Sequence, residues 1–231
     1  MPNKNKYDYK LLSHHLTSST YAYGGKRPFT IKRVRSVSKG DTCNTFMLNL
    51  PNHMGTHIDC PNHFYASGKR ISQYNINDFV FFKPAVLNCP KKENELITVS
   101  DIESNVKKLK GKDILLLRTN FYRFRSDAKY AKKNPGIDPE AARFIRARLT
   151  NIRCVGIDSI SVSPYDKREM GRETHRIFFQ NHSFRGRPLC VIEDMNLSGD
   201  LRNLKKVFVM PLFIKGIDSA PCTVLAILRK R

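Results

Sequence analysis

Helix-like and strand-like periodicities alternate in this 231-residue chain only through its middle, while strand-like runs crowd both ends. That order argues against a doubly wound parallel sheet and predicts a mixed sheet in an α/β fold. Residues 29–50 show short alternations on either side of a Gly40-Asp41 turn, and residues 79–88 read as a buried strand interrupted at Lys83-Pro84. A helix is expected from Ser100, with Glu103 completing a capping box, through Ile102, Val106 and Leu109 to a stop at Gly111. The strand Ile114 to Leu117 follows. Asp138-Pro139-Glu140 then opens a second helix with Ala141, Ile145 and Leu149 on one line, and Cys154 to Ile157 is the next strand. The last third reads as strands at Leu189 to Ile192, Val207 to Leu212 and Thr223 to Leu228. No linker or internal repeat divides the chain, and 40% hydrophobic residues suffice for a sizeable core, so one domain over residues 1–231 is expected.

Chemistry concentrates in His53-Met-Gly-Thr-His57-Ile-Asp59-Cys-Pro-Asn-His63. Imidazole and carboxylate are the natural ligands of zinc and similar divalent ions. A chain extended from His57 would send His57, Asp59 and His63 to the same side, but Gly55 and Pro61 argue against one regular element through the segment, so it reads as a bent loop that turns several ligands toward one point. The bland alternative is a solvated, His-rich loop.

The formal net charge is +21, with Lys and Arg spread along the whole chain. No zinc finger, RNA-binding aromatic motif or basic tail focuses that charge, so a basic solvated surface is expected rather than specific nucleic-acid binding. The six cysteines form no CxxC pair, and Cys60, Cys154 and Cys190 are expected to pack as reduced thiols. No apolar run is long enough to span a membrane and the N-terminus has no signal-peptide pattern, which makes the cytoplasm the expected compartment. There is no G-x-S-x-G elbow, Walker loop or Rossmann glycine fingerprint.

The pattern His53-x-Gly55-Thr56-His57-x-Asp59-x-Pro61-x-His63-Phe64 resembles the signature of the bacterial kynurenine formamidase and cyclase family of metal-dependent hydrolases. Further stretches resemble the family in order, over roughly residues 10 to 228: Leu117-Arg118-Thr119, Asn134-Pro135-Gly136-Ile137, Gly156-Ile157-Asp158, Thr174-His175-Arg176-Ile177, Val191-Ile192-Glu193, and Lys215-Gly216 with Ala220-Pro221. The resemblance implies a swivelling β/β/α-type domain with two divalent ions, zinc first and manganese second. It implies His53 and His57 on one ion, His175 on the other, Asp59 and Glu193 bridging, and His63 as the proton-transfer residue. It further implies a homo-oligomer acting on a small amide or lactam, with N-formylkynurenine the nearest family substrate. An isatin hydrolase-like lactam or ester hydrolase using manganese is the second enzymatic reading. A metal-stabilised binding protein with a basic anion- or nucleic-acid-binding face is the alternative from another class.

Two departures from the family stand out. About six extra residues separate His175 from Glu193 and bring in His182 as a rival ligand. His175 is preferred because the Arg-Ile-Phe-Phe after it resembles the family context. Near the N-terminus, Tyr21-Ala-Tyr23-Gly24-Gly25 replaces a family turn that carries a substrate-lining aromatic, which makes Tyr23 a candidate substrate contact.

Overall fold

The computed structural model describes residues 6–181 and 186–230. Its strands are β1 (Tyr7–Leu11), β2 (Thr30–Arg35), β3 (Thr45–Asn49), β4 (His57–Asp59), β5 (Val80–Phe81), β6 (Pro84–Asn88), β7 (Leu96–Ile97), β8 (Ile114–Arg118), β9 (Gly136–Ile137), β10 (Cys154–Ile157), β11 (Cys190–Glu193), β12 (Leu204–Pro211) and β13 (Ser219–Arg229). Its helices are α1 (Val99–Glu103), α2 (Val106–Leu109), α3 (Ala128–Lys132), α4 (Pro139–Arg148) and α5 (Arg168–Phe179).

Nine strands form one mixed sheet in the order β5-β12-β13-β4-β11-β10-β8-β6, with β1 also paired to β13. Strands β6, β8, β10 and β11 run parallel, and β4 sits antiparallel between β11 and β13. Both faces of the parallel part are covered, as its unbroken apolar strands require. Along β8, Leu115 and Leu117 join the core under α4 and α5, whereas Ile114 and Leu116 join a second core with Ile58, Ile192 and Ala220. Because successive strand side chains alternate faces, burying Ile58 and Ile192 in the second core sends His57, Asp59 and Glu193 to the α5 side.

The Asp138 side chain caps α4 as expected, accepting from Glu140 N, and Ala141, Ile145 and Leu149 are buried. Two expectations are corrected. The helix expected from Ser100 is capped by Thr98, whose partner in the capping box is Asp101, and it breaks into α1 and α2 around Ser104 and Asn105. Thr98 precedes Val99, so the cap lies two residues earlier and the box closes on an aspartate. The last third is also not strands alone, because α5 lies there. Thr174, His175, Phe178 and Phe179 are buried at helical spacing, a pattern that a histidine among the apolar positions obscured.

Candidate metal centre

Pairing across β4 assembles the first part of the site. His57 lies opposite Glu193 on one side and Pro221 on the other, while Asp59 lies opposite Val191 and Ser219. Helix α5 then lowers His175 onto the same face. Gly171 makes that approach feasible, since a Cβ there would stand 2.7 Å from the Ser163 Cα and closer still to its side chain.

Two triads with ligand atoms in mutual reach result: His53, His57 and Asp59, and Asp59, His175 and Glu193. They share Asp59. His57 Nδ1 donates to Gly55 O at 2.8 Å, so in the neutral ring Nε2 carries the lone pair. That Nε2 faces Asp59 Oδ1 at 3.4 Å and Glu193 Oε2 at 3.6 Å. His175 repeats the arrangement: Nδ1 lies 2.9 Å from Gly171 O and 3.1 Å from Ser163 Oγ, and Nε2 faces Glu193 Oε1 at 3.3 Å. A lone pair aimed at a buried carboxylate is repulsive unless a cation lies between them. Both Asp59 oxygens and His57 Nε2 are buried without a hydrogen-bond partner. The donor set and its unsatisfied atoms therefore fit a divalent cation.

The same demand for positive charge shows in the titration. Burial disfavours a charged His53, but Asp59 and a hydrogen bond to Asp218 outweigh it and lift the ring to about 10. Burial also opposes protonation of His175, which is raised by Glu193 and Asp59. Burial alone would raise Asp59, yet the rings of His57 and His53 hold it well below the usual carboxylate range.

His53 Nδ1 lies 3.0 Å from Asp59 Oδ1, and its Nε2 reaches Asp218 Oδ2 and Ser219 Oγ, each at 3.1 Å. His63 stands beside the triads without completing either. Its Nδ1 is 2.7 Å from Asp218 Oδ2, and its ring stacks at a tilt 4.2 Å from that of His53. His63, Asp218 and His53 also make a third potential ligand group, but hydrogen bonds already join its members. His182 lies outside the described residues. Tyr23 lines the same cavity as the cluster, and its phenol is pushed up to about 12 by burial, with the nearby Glu193 adding to the effect.

Several residues that hold the site have no role that the sequence alone assigns. Asp218 links His53 to His63, and it sits between the family-like pairs Lys215-Gly216 and Ala220-Pro221 without belonging to either. Ser161 Oγ and Val162 N both donate to Glu193 Oε1, at 2.9 and 2.8 Å. Asn134 fastens that loop through Ser161 O, Ser163 O and Tyr165 N, which explains why an Asn-Pro-Gly run belongs with the site. Asp158 accepts from Thr119 N, Thr119 Oγ1 and Asn120 N, so the Leu-Arg-Thr and Gly-Ile-Asp runs are tied together where the parallel strands β8 and β10 end. Asp194, next to Glu193, adopts a left-handed φ of 52°. Its buried carboxylate is gripped by Arg125 at 2.8 to 3.1 Å and by the Tyr130 hydroxyl at 2.6 Å. A carboxylate so buried without partners would cost several kcal/mol (order of magnitude). Asp194 O also accepts from Thr56 Oγ1, tying the end of β11 to the residue before His57.

Among known proteins, kynurenine formamidase of Bacillus mycoides (strain KBAB4) is 29% identical over 218 residues, covering 91% of this chain and 92% of that protein. The kynurenine formamidase of Bacillus anthracis gives the same identity and coverage. The fold matches isatin hydrolase A from Labrenzia aggregata, bound to benzyl benzoate, with a TM-score of 0.81 at 20% identity over 97% of this chain and 95% of that one. It also matches a potential metal-dependent hydrolase with cyclase activity, with a TM-score of 0.72 at 20% identity over 97% and 100%. Matched over residues 11–164 by the model of the family described as "Putative cyclase", the chain belongs to that family.

Proposed function

We propose that this protein is a metal-dependent hydrolase that cleaves the C–N bond of a small amide or lactam, with an aryl formamide of the N-formylkynurenine type as the nearest substrate. The observation that carries the reading is the pair of imidazole Nε2 atoms, on His57 and His175, facing two buried carboxylates of which Asp59 has no hydrogen-bond donor. In this reading His53, His57, Asp59, His175 and Glu193 would hold two divalent ions, Asp59 being the member common to both triads. Zinc suits the imidazole and carboxylate set, with manganese the second choice. Bound divalent ions supply Lewis acidity and lower the pKa of water toward neutrality.

The chain's own residues then have distinct tasks. Water adds its oxygen to the amide carbon, the C–N bond breaks, and the departing nitrogen must gain a proton. That transfer falls to His63 in this reading. Asp218 takes the Nδ1 hydrogen bond, which fixes the ring and leaves Nε2 to exchange the proton. Asp218 also takes the Nε2 hydrogen bond of His53, leaving Nδ1 toward the cluster. Phe64 stacks on His175 at 5.0 Å and 11° between ring planes, stiffening that ligand. Tyr21 and Tyr23 offer aromatic walls across a cavity of about 270 Å³, enough for one ring and its substituents.

Elemental analysis should find about two ions per chain, in keeping with a two-metal site. Formanilide should be hydrolysed by the loaded protein, and the rate should vanish with a chelator and return with zinc or manganese. A protein that stays metal-free when supplied with both metals would refute the proposal.

We also propose a homo-oligomer. No described helix is long and apolar enough to cross a membrane, yet the β2–β3 hairpin presents Ile31, Val34, Phe46, Met47 and Leu48, each about half exposed or more. Apolar surface held in a two-stranded ribbon is the kind that a second copy covers. Light scattering should give a mass that is a multiple of 26.6 kDa, and Leu48→Asp should lower it. A monomer at micromolar concentration would sink this part of the reading alone.

A further inference from the structure

The cavity over the metal cluster has a second wall that the chemistry above does not use. Helix α5 supplies His175, and the residues one and two turns before it on the same stripe are Arg172 and Arg168, both lining the cavity. Helical geometry sets residues three and four apart on one face, so the two guanidinium groups and the proposed ligand form a row.

That row runs against helix energetics. Arg168 is the first residue of α5 and Lys167 precedes it, so positive side chains crowd the positive end of the helix dipole. Arg168 and Arg172 also repel each other at a spacing of four. Arg172 pairs with Glu169, but both side chains are at least half exposed, and water screens most of such a pair's attraction. Among the described residues no carboxylate lies within ion-pair distance of Arg168. Its guanidinium rests 4.1 Å over the ring of Tyr165, which packs edge-on against Tyr23 at 5.3 Å. Tyr23 in turn donates to Pro164 O. Arg168 is thus held at the cavity wall by an aromatic face while its hydrogen-bond donors remain open to a ligand.

Neither arginine is needed to neutralise the buried carboxylates, because Asp59 and Glu193 face the imidazoles and, in the function proposed above, the ions. Among the described residues, neither arginine forms an ion pair beyond α5. A cation in this position does have a use if the substrate brings an anion. The planar guanidinium fork matches the two oxygens of a carboxylate, and the aromatic walls suit a ring between that carboxylate and the scissile bond.

We infer that Arg168 and Arg172 select an acidic substrate: a small aromatic amide or lactam carrying a carboxylate remote from the scissile carbonyl. This inference rests on the hydrolase reading of the same cavity, and its test is arranged so that the two can fail separately.

The probes are 3-formamidobenzoate and its neutral counterpart 3-formamidobenzamide, used with metal-loaded full-length protein at low ionic strength. The wild type should prefer the acid by about tenfold in kcat/KM, which corresponds to about 1.4 kcal/mol. The Arg168→Gln, Arg172→Gln double variant should bring the ratio of acid to amide close to one. The Arg168→Lys, Arg172→Lys variant should retain part of the preference, because it keeps the charge but loses the fork. A wild type that does not prefer the acid, or a double glutamine variant that keeps the preference, overturns the inference. If the wild type hydrolyses neither probe, the hydrolase reading of these amides fails. Calorimetric titration with the same two intact compounds then decides the anion site. Binding of the acid about tenfold tighter than the amide, lost in the double glutamine variant, supports it. Equal binding of both compounds, or tighter acid binding that survives in the double glutamine variant, rejects it.

Discussion

Asp59→Asn should abolish stable metal binding and reduce turnover to background while leaving the metal-free protein folded. The carboxylate is 1% exposed and belongs to both ligand triads. Asparagine keeps its shape but removes the charge and places a donor where an anionic oxygen is needed. Thermal melting separates this effect from misfolding. A ligand that binds only the native state stabilises it by RT ln(1 + [L]/Kd), about 2.7 kcal/mol when free metal is one hundred times Kd. Zinc should therefore raise the melting temperature of the wild type and leave that of Asp59→Asn almost unchanged. The metal-free variant should still unfold in one cooperative transition, at a temperature somewhat below that of the metal-free wild type, because the rings of His57 and His53 lose the carboxylate they stabilise. A variant that still takes up two ions would show that Asp59 bridges nothing.

His63→Ala should retain both metals and the fold while losing about 10²–10⁴-fold in turnover, the usual worth of a positioned proton-transfer group. The ring lies outside both triads that contain Asp59 and is oriented by Asp218 at 2.7 Å. Metal analysis and kinetics on one preparation are both required, because a lost ion and a lost proton shuttle look alike in activity alone. Loss of metal would make His63 a ligand. Unchanged turnover with chemistry rate-limiting would remove it from the mechanism.

How much of this was legible follows from where each contact is made. A chain extended from His57 would put His57, Asp59 and His63 on one side; β4 keeps that alternation for His57 and Asp59, whereas His63 lies in a 3-10 turn beyond the strand. The bends expected from Gly55 and Pro61 are there: Gly55 has a φ of 64°, and Pro61 opens a 3-10 turn that carries His63. The α4 cap was legible because Asp, Pro and Glu act within one turn. Helix α5 was not, because its buried stripe runs through a threonine and a histidine that became apolar in role only when the fold closed over them. Asp218 was equally silent, being an acidic residue in a loop more than 150 positions from the two histidines it joins.

The sequence by itself determined the mixed α/β class, the concentration of candidate ligands in residues 53–63, and the family pattern that proposed His175 and Glu193 as their partners. These depend on short spacings or on matched runs, which survive in one dimension. Only the tertiary structure decided which side of the sheet the site occupies, because burial of Ile58 and Ile192 in one core turns their neighbours to the other. It alone set the carbonyls of Gly55 and Gly171 against Nδ1 of His57 and His175, which turns each Nε2 toward the cluster. It alone brought Arg168 and Arg172 over a cluster whose nearest member in β4 lies more than 100 residues away in sequence. Those properties arise from contacts between distant segments, and a contact of that kind leaves its mark on a chain only after the chain has folded.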